Sequence, residues 1–389
     1  MGHDLSQLDK HPTEALIHLD RLTHNVRLIE QLVGSRPLWP AIKANAYGHG
    51  AEIVARHLTA LGHETLCVAH PQEALSLGRA DVKATFVILS AMLPEQAGAI
   101  VAAGCEPVVC TAAMAAALSA EAERQDKLIA VHVKVDTGMG RIGIAPAEVG
   151  QFLDYCRSLP HLEVRGLMSH FARADEADKA CSKRQFESFL GVAAEAKNDG
   201  EYCLHMANSA AIFDLPSSHL DAVRPGIALY GLAPSVNIVN RRVRNLLPVL
   251  EWRSKVTFLK EVPAGTGISY GHSFITPRPS LIATMPIGYG DGLHRSLSDR
   301  CAFLIRGKRC PQVGRITMDQ SMIDVTALRG QIEIGDDVVI IGRQGDQEVT
   351  ADELASTLGT INYEVVTAIA SRVPRRAVGG DARPAVQED

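Results

Sequence analysis

A chain of 389 residues exceeds one ordinary domain, and an apolar content of 46% is that of a globular protein with room for two cores. The net charge of −5 is spread over interspersed signs, which excludes the basic footprint of a nucleic-acid or anionic-membrane binder. No apolar run has the length of a membrane helix, and the eight cysteines include no CxxC pair, so neither a disulfide framework nor a metal site is indicated.

Met1–Lys10 lacks the charged and apolar regions of a signal peptide, so a cytoplasmic location is expected. Residues 14–19 alternate as a short strand, and Asp20 is the expected N-cap of a helix over 21–33. Short apolar strands are then predicted at 38–43, 65–69, 85–89, 107–110, 129–135, 163–169, 202–206 and 221–224. Helices separate them, for example at 71–79, 112–124 and 145–157. Eight strands alternating with helices over about 220 residues fit a (β/α)8 barrel better than a doubly wound sheet.

Composition shifts at Ala233–Asn240, beyond which strands alternate with Gly/Pro turns at 249–262, 281–287, 302–306, 322–325 and 337–341. Thr350 and Glu353 read as a capping box on the one helix predicted there. The expected organisation is an N-terminal (β/α)8 TIM-type barrel over 1–240, a mainly-β domain over 241–378 and a flexible tail over 379–389. The strand at 14–19 is a candidate to pair with the second domain.

Lys43 falls at the end of the first barrel strand, between apolar Leu38–Ile42 and Ala44–Gly50. A lysine there either snorkels to water or serves as a Schiff-base amine whose pKa is depressed by burial and cationic neighbours. Polar residues also follow strand five (Lys134, Asp136, Arg141), strand six (Ser169, His170), strand seven (His205, Asn208, Ser209) and strand eight (Arg224, Gly226, Ile227). The carboxyl-terminal face of a barrel carries its site, so these groups are expected to converge. Asn208-Ser209 opens a short helix, and Gly226 allows close backbone approach, so loops seven and eight can cradle a phosphate. Plain helix capping by Asn208 and Ser209 is the alternative. A lysine facing a phosphate site points to pyridoxal 5′-phosphate.

The chain closely resembles the alanine racemases, fold-type III pyridoxal-phosphate enzymes. The likeness runs from Ala15 to about Pro374. It is carried by Ala44–Gly50, Asp136-Thr-Gly-Met-Gly-Arg-Ile-Gly143, Ser169–Ala172 with Asp175, Ala207–Ser209 and Arg224–Gly231. In the second half it is carried by Ser269–Gly271, Gly288–Asp291, Gly314–Gln320 and Ile361–Val365. The resemblance implies an isomerase that interconverts L- and D-alanine by two bases, supplying D-alanine for cell-wall peptidoglycan. Lys43 would hold the cofactor and serve one face of the substrate; Tyr270, from the partner subunit, would serve the other.

His170, Arg224 and Arg141 would form a network with that tyrosine, and Arg224 would face the pyridine nitrogen. Arg141 and the Met318 N–H would bind the substrate carboxylate. Tyr47, His170, Asn208, Ser209, Gly226, Ile227 and Tyr363 would line the cofactor. Lys134 matches a lysine that is carbamylated in many members; pairing with Asp136 or solvent is the other reading. Asp175, Tyr289, Arg295 and Arg315 match the substrate entrance. Thr317 departs from the cysteine that some members carry. An obligate homodimer is implied, acting on a small amino acid, with no nucleic acid or membrane partner. The rivals are a broad-specificity or serine racemase, a non-catalytic pyridoxal-phosphate protein and a fold-type III decarboxylase.

Overall fold

The computed structural model describes residues 11–196 and 201–380; the N-terminal decapeptide and most of the predicted tail, 381–389, lie outside the described residues. The described residues fall into two compact units: 21–46 with 50–196 and 201–247, and 248–380 with 11–20 and 47–49.

The first unit is the barrel. Six parallel strands run in chain order: Thr65–Val68, Thr85–Ile88, Glu106–Val109, Ile129–Lys134, Leu162–Met168 and Cys203–His205. The two remaining staves are held by single bridges. Ala41 pairs with Cys67, Leu38 with Val223, and His205 with Ala222, all parallel, which closes the ring. Their backbone bonds are regular, as in Trp39 N–H to Val223 O (2.8 Å) and Ile42 N–H to Cys67 O (2.8 Å). Strands covered on both faces are mostly apolar, and Glu106–Val109 and Ile129–Lys134 are buried at every residue, including the polar Glu106, His132 and Lys134.

The helices begin where local chemistry places them. Pro71 fills the first turn of Pro71–Arg79, where no N–H is needed. Thr111 accepts from Met114 N–H ahead of Ala112–Arg124. Asp20 is not an N-cap: the helix runs Leu19–Val33 and Asp20 lies in its first turn, where its charge still meets the positive helix end. The predicted helix at 145–157 is a 3-10 turn, Pro146–Glu148, leading into Val149–Ser158.

The second unit is mainly β. Its largest sheet orders Lys308–Pro311, Ala302–Ile305, Asp337–Gln344, Leu250–Lys255, Glu14–His18 and Arg375–Val378, with Gln347–Val349 added to Asp337–Gln344. Glu14–His18 is antiparallel to Leu250–Lys255 and parallel to Arg375–Val378. A second sheet orders Ser321–Asp324, Ser280–Met285 and Phe258–Val262. Val262, Ile268, Ile282 and Val313 form a core cluster beneath Phe274 and Met322. The helix Ala351–Leu358 is capped by Thr350, which accepts from Glu353 N–H. Glu353 does not serve as a box partner; its carboxylate takes both Arg309 nitrogens, at 2.6 and 2.8 Å. A further short helix, Asn362–Thr367, was not predicted.

Candidate active site

In the barrel unit, Lys43 sits where the first stave ends. The chain beyond it does not continue as strand. Ala44, Asn45, Ala46 and Tyr47 all take left-handed φ values of 52–54°, a turn that L-residues enter at about 1–2 kcal/mol each. Local bonds hold it: Ala46 N–H reaches Ile42 O (2.8 Å), and the Asn45 side chain accepts from Ala51 N–H (2.8 Å), seating the helix Ala51–Ala60. Glu73 accepts from Ala44 N–H at 2.6 Å and from Ala69 N–H at 2.7 Å. The sequence reading missed Glu73. An acidic residue in a first helical turn has a sufficient local explanation, which hides its longer reach.

Burial pulls the Lys43 pKa below its ordinary 10.5, and Arg141 and Arg224 add to the effect while Cys67 and Glu73 oppose it. Arg224 is only 4% exposed. Its guanidinium donates to His205 Nδ1 (2.6 Å), Ser169 O (2.7 Å), Met206 O (3.2 Å) and, at the limit, His170 Nδ1 (3.5 Å). Burial lowers its pKa to about 10, which still leaves it a cation at neutral pH. Arginine can only donate, so both histidines must present a bare Nδ1 and carry their proton on Nε2. Burial and then the Arg224 charge hold the His170 pKa well below 6.5, so this ring is neutral.

Arg141 is exposed, at the end of a loop fixed from within. Asp136 accepts from the Gly138, Met139 and Gly140 N–H groups, and Asp136 N–H reaches Ile144 O. A Cβ on Gly143, at φ +134°, would lie 2.6 Å from Asp136 N. The Asp136 carboxylate is therefore occupied by backbone. Lys134 is 1% exposed and its Nζ has no hydrogen-bond partner among the described residues, while the Asp136 charge acts on it only at longer range. Burial first, then Arg224 and Arg141, lower its pKa to about 7.

On loops seven and eight, Asn208 caps Ser209–Asp214 by accepting from Ala211 N–H (3.1 Å), as the plain-capping alternative held. Ser209 does something else. Its buried hydroxyl accepts from Gly226 N–H (2.8 Å) and Ala228 N–H (3.3 Å), beside Ile227. Loops seven and eight are thus tied together where two short helices start, and the Ser209 hydroxyl keeps its own proton to donate. Asp175 is exposed. A cavity of about 370 Å³ beside Arg36, Trp39 and His63 opens at the strands' amino-terminal ends, away from these groups.

The second unit holds the other predicted residues. The Tyr47 and Tyr363 rings are 6.1 Å apart. Gly48 has no room for a side chain: its Cβ would meet Val366 O at 2.0 Å. Tyr270 is 73% exposed and Met318 53%. They are brought towards each other by packed loops. A Cβ on Gly314 would touch Ile268 O and the Ser269 side chain, and the Arg315 guanidinium lies against Gly271. Tyr289 N–H donates to Thr317 O and Gly290 N–H to Met318 O. Ile316 N–H donates to Ser298 Oγ, next to the Arg295–Leu297 turn. Tyr270, Tyr289, Arg295, Arg315 and Met318 therefore share one loop cluster.

Two family models match consecutive parts of the chain: alanine racemase, N-terminal domain, over residues 17–234, and alanine racemase, C-terminal domain, over 249–377. The chain belongs to the alanine racemase family. Its curated relatives include an alanine racemase from Halothermothrix orenii, 42% identical and covering 94% of this chain and 96% of its own length. Alanine racemase 2 of Caldanaerobacter subterraneus subsp. tengcongensis is 44% identical, with 94% of both chains covered. Among solved structures, alanine racemase of Clostridium difficile 630 superposes with a TM-score of 0.91 at 35% identity, covering 95% and 96% of the two chains. That of Bacillus anthracis with bound L-Ala-P gives 0.90 at 36%, with the same coverage. The family read from the motifs and the barrel-plus-β architecture are both borne out.

Proposed function

We propose that this isomerase interconverts L- and D-alanine with pyridoxal 5′-phosphate held at Lys43. The observation that carries the reading is the cluster around Lys43, a strained-turn amine with a depressed pKa near two guanidiniums. The residues present suit the cofactor. Ser209, Gly226 and Ile227 would offer a hydroxyl and N–H groups to its phosphate, with Asn208 capping the helix that Ser209 opens, and Tyr47 and Tyr363 are assigned to the same role. The buried Arg224 offers a donor to its ring nitrogen.

When bound, the cofactor withdraws electrons from the substrate α-carbon and acidifies its proton. Lys43 Nζ would remove the proton from one face while Tyr270 Oη delivers a different proton to the other, or the reverse, so the α-carbon is inverted. Tyrosine is a weak acid, and a neutral His170 with its proton on Nε2 would support it in the partner's site. Arg224 cannot readily give up a proton, so it would hold the cofactor's ring nitrogen as a donor without protonating it, which favours reprotonation at the α-carbon. Arg141 and the Met318 N–H fix the substrate carboxylate. A carbamate on Lys134 would turn a buried cation into an anion able to orient Arg141.

The exposure of Tyr270 and Met318 supports their acting in a partner's site, and hence a homodimer with two composite sites. Asp175, Tyr289, Arg295 and Arg315 are assigned to the entrance. No helix among the described residues is long and apolar enough to cross a membrane. We place the enzyme in the cytoplasm, supplying D-alanine for peptidoglycan.

Chiral chromatography after incubation with pyridoxal phosphate and L-alanine, serine, lysine or arginine tests the reading. Near-equal D- and L-alanine, with the other amino acids unchanged, is expected. Comparable turnover of several amino acids would make this a broad-specificity racemase, and no turnover of any would defeat the proposal.

A further inference from the structure

Beneath Arg224 a line of buried polar side chains crosses the barrel interior, and the racemase reading makes no use of it. Trp39, His132 and His205 come from staves one, five and seven, the alternate strands that supply a single interior layer. His132 and His205 are fully buried. Their rings meet edge-on with centroids 4.8 Å apart, and Trp39 stands against both, at 5.5 and 4.7 Å. His205 Nε2 is 3.1 Å from His132 Nδ1, and His132 Nε2 is 3.0 Å from Glu106 Oε2. The other Glu106 oxygen accepts from Arg165. Space is reserved for the line, because a Cβ on Gly166 would lie 2.5 Å from His132 Nδ1.

The bonds can run in one direction only. Arg224 donates to His205 Nδ1, so the neutral ring carries its proton on Nε2 and passes it to His132 Nδ1. His132 must then also carry its proton on Nε2, and Glu106 accepts it. The carboxylate only accepts, so the line can end on it without a further acceptor. Without it the His132 N–H would be buried with no acceptor, at a cost comparable to a lost hydrogen bond. The easy escape is for both imidazoles to change tautomer, and that turns a second donor toward the Arg224 guanidinium.

We propose that Glu106 is a positioning residue for Arg224: through His132 and His205 it fixes both imidazoles in the Nε2–H form and so holds the guanidinium plane. The structural part stands alone, whereas its consequence for turnover rests on the racemase reading.

The test is side-chain 15N NMR of histidine-labelled protein without cofactor or substrate, with signals assigned from His132→Gln and His205→Gln. Both rings are expected as neutral Nε2–H tautomers. Glu106→Leu should move His205 toward the Nδ1–H form and lower kcat/KM for alanine by roughly ten- to a hundredfold, the range for outer hydrogen-bond partners, mostly through kcat. Glu106→Gln keeps an acceptor oxygen and should retain the tautomers and lose less activity than Glu106→Leu. A His205 protonated on Nδ1 in the wild type would overturn the proposal even if no variant folds, as would a folded Glu106→Leu with unchanged tautomers. A wild type inactive on alanine would instead defeat the racemase reading and leave the tautomer result standing.

Discussion

At the scale of single residues, Lys134 is the most instructive group. Its pKa is about 7 in the folded barrel against 10.5 for an ordinary lysine, with burial the first cause. Between those values the unfolded chain binds more protons, so this residue's contribution makes stability rise with pH across that window. At pH 7 a shift of that size costs the fold about 4 kcal/mol. In buffer free of CO2, Lys134→Met should therefore raise the melting temperature at pH 7 by several degrees, with the gain fading toward pH 10. An unchanged melting temperature would show that the ammonium is compensated. The same low pKa leaves a large fraction of neutral amine to react with CO2. A carbamate 13C signal from labelled bicarbonate should appear in the wild type and vanish in Lys134→Met; a wild type without that signal would leave Arg141 facing no anion.

At the scale of elements, the left-handed turn after Lys43 is held against its own backbone preference. Glu73 is the group that opposes the strain from outside, through the Ala44 and Ala69 N–H groups. Glu73→Ala would leave both without that partner and should destabilise the protein by about 1–2 kcal/mol in urea unfolding. It should also weaken pyridoxal phosphate in a titration; full stability with full affinity would show that the turn holds itself. Much at this scale was legible from sequence, because the signals are local: Pro71 and Thr111 mark helix starts, and apolar runs mark the staves. The turn itself was not, since alanine and tyrosine carry no signature of positive φ and of its four residues only Asn45 favours it. Glu106 and His132 were equally hidden. Period two puts His132 on the same strand face as Lys134, but the partners that explain it lie on other strands. The Lys43, Arg141 and Arg224 positions were readable because several polar breaks fell at the same end of successive apolar strands.

At the scale of the whole molecule, the proposed two-base chemistry requires Lys43 of one subunit and Tyr270 of another. Mixing Lys43→Ala with Tyr270→Phe protein under subunit exchange should then restore roughly a quarter of wild-type activity, since half the dimers form hybrids with one intact site. No recovery, with hybrids demonstrated by mass, would place both bases in one chain. The most direct test of the central claim is a single incubation of L-alanine with the pyridoxal-phosphate-loaded protein in deuterated water, with the enantiomers separated and weighed by mass spectrometry at early times. Two bases on opposite faces predict that D-alanine appears from the start carrying one solvent deuterium at the α-carbon. D-alanine that keeps the substrate's own α-hydrogen would contradict the account, because one base would then be carrying the proton between faces.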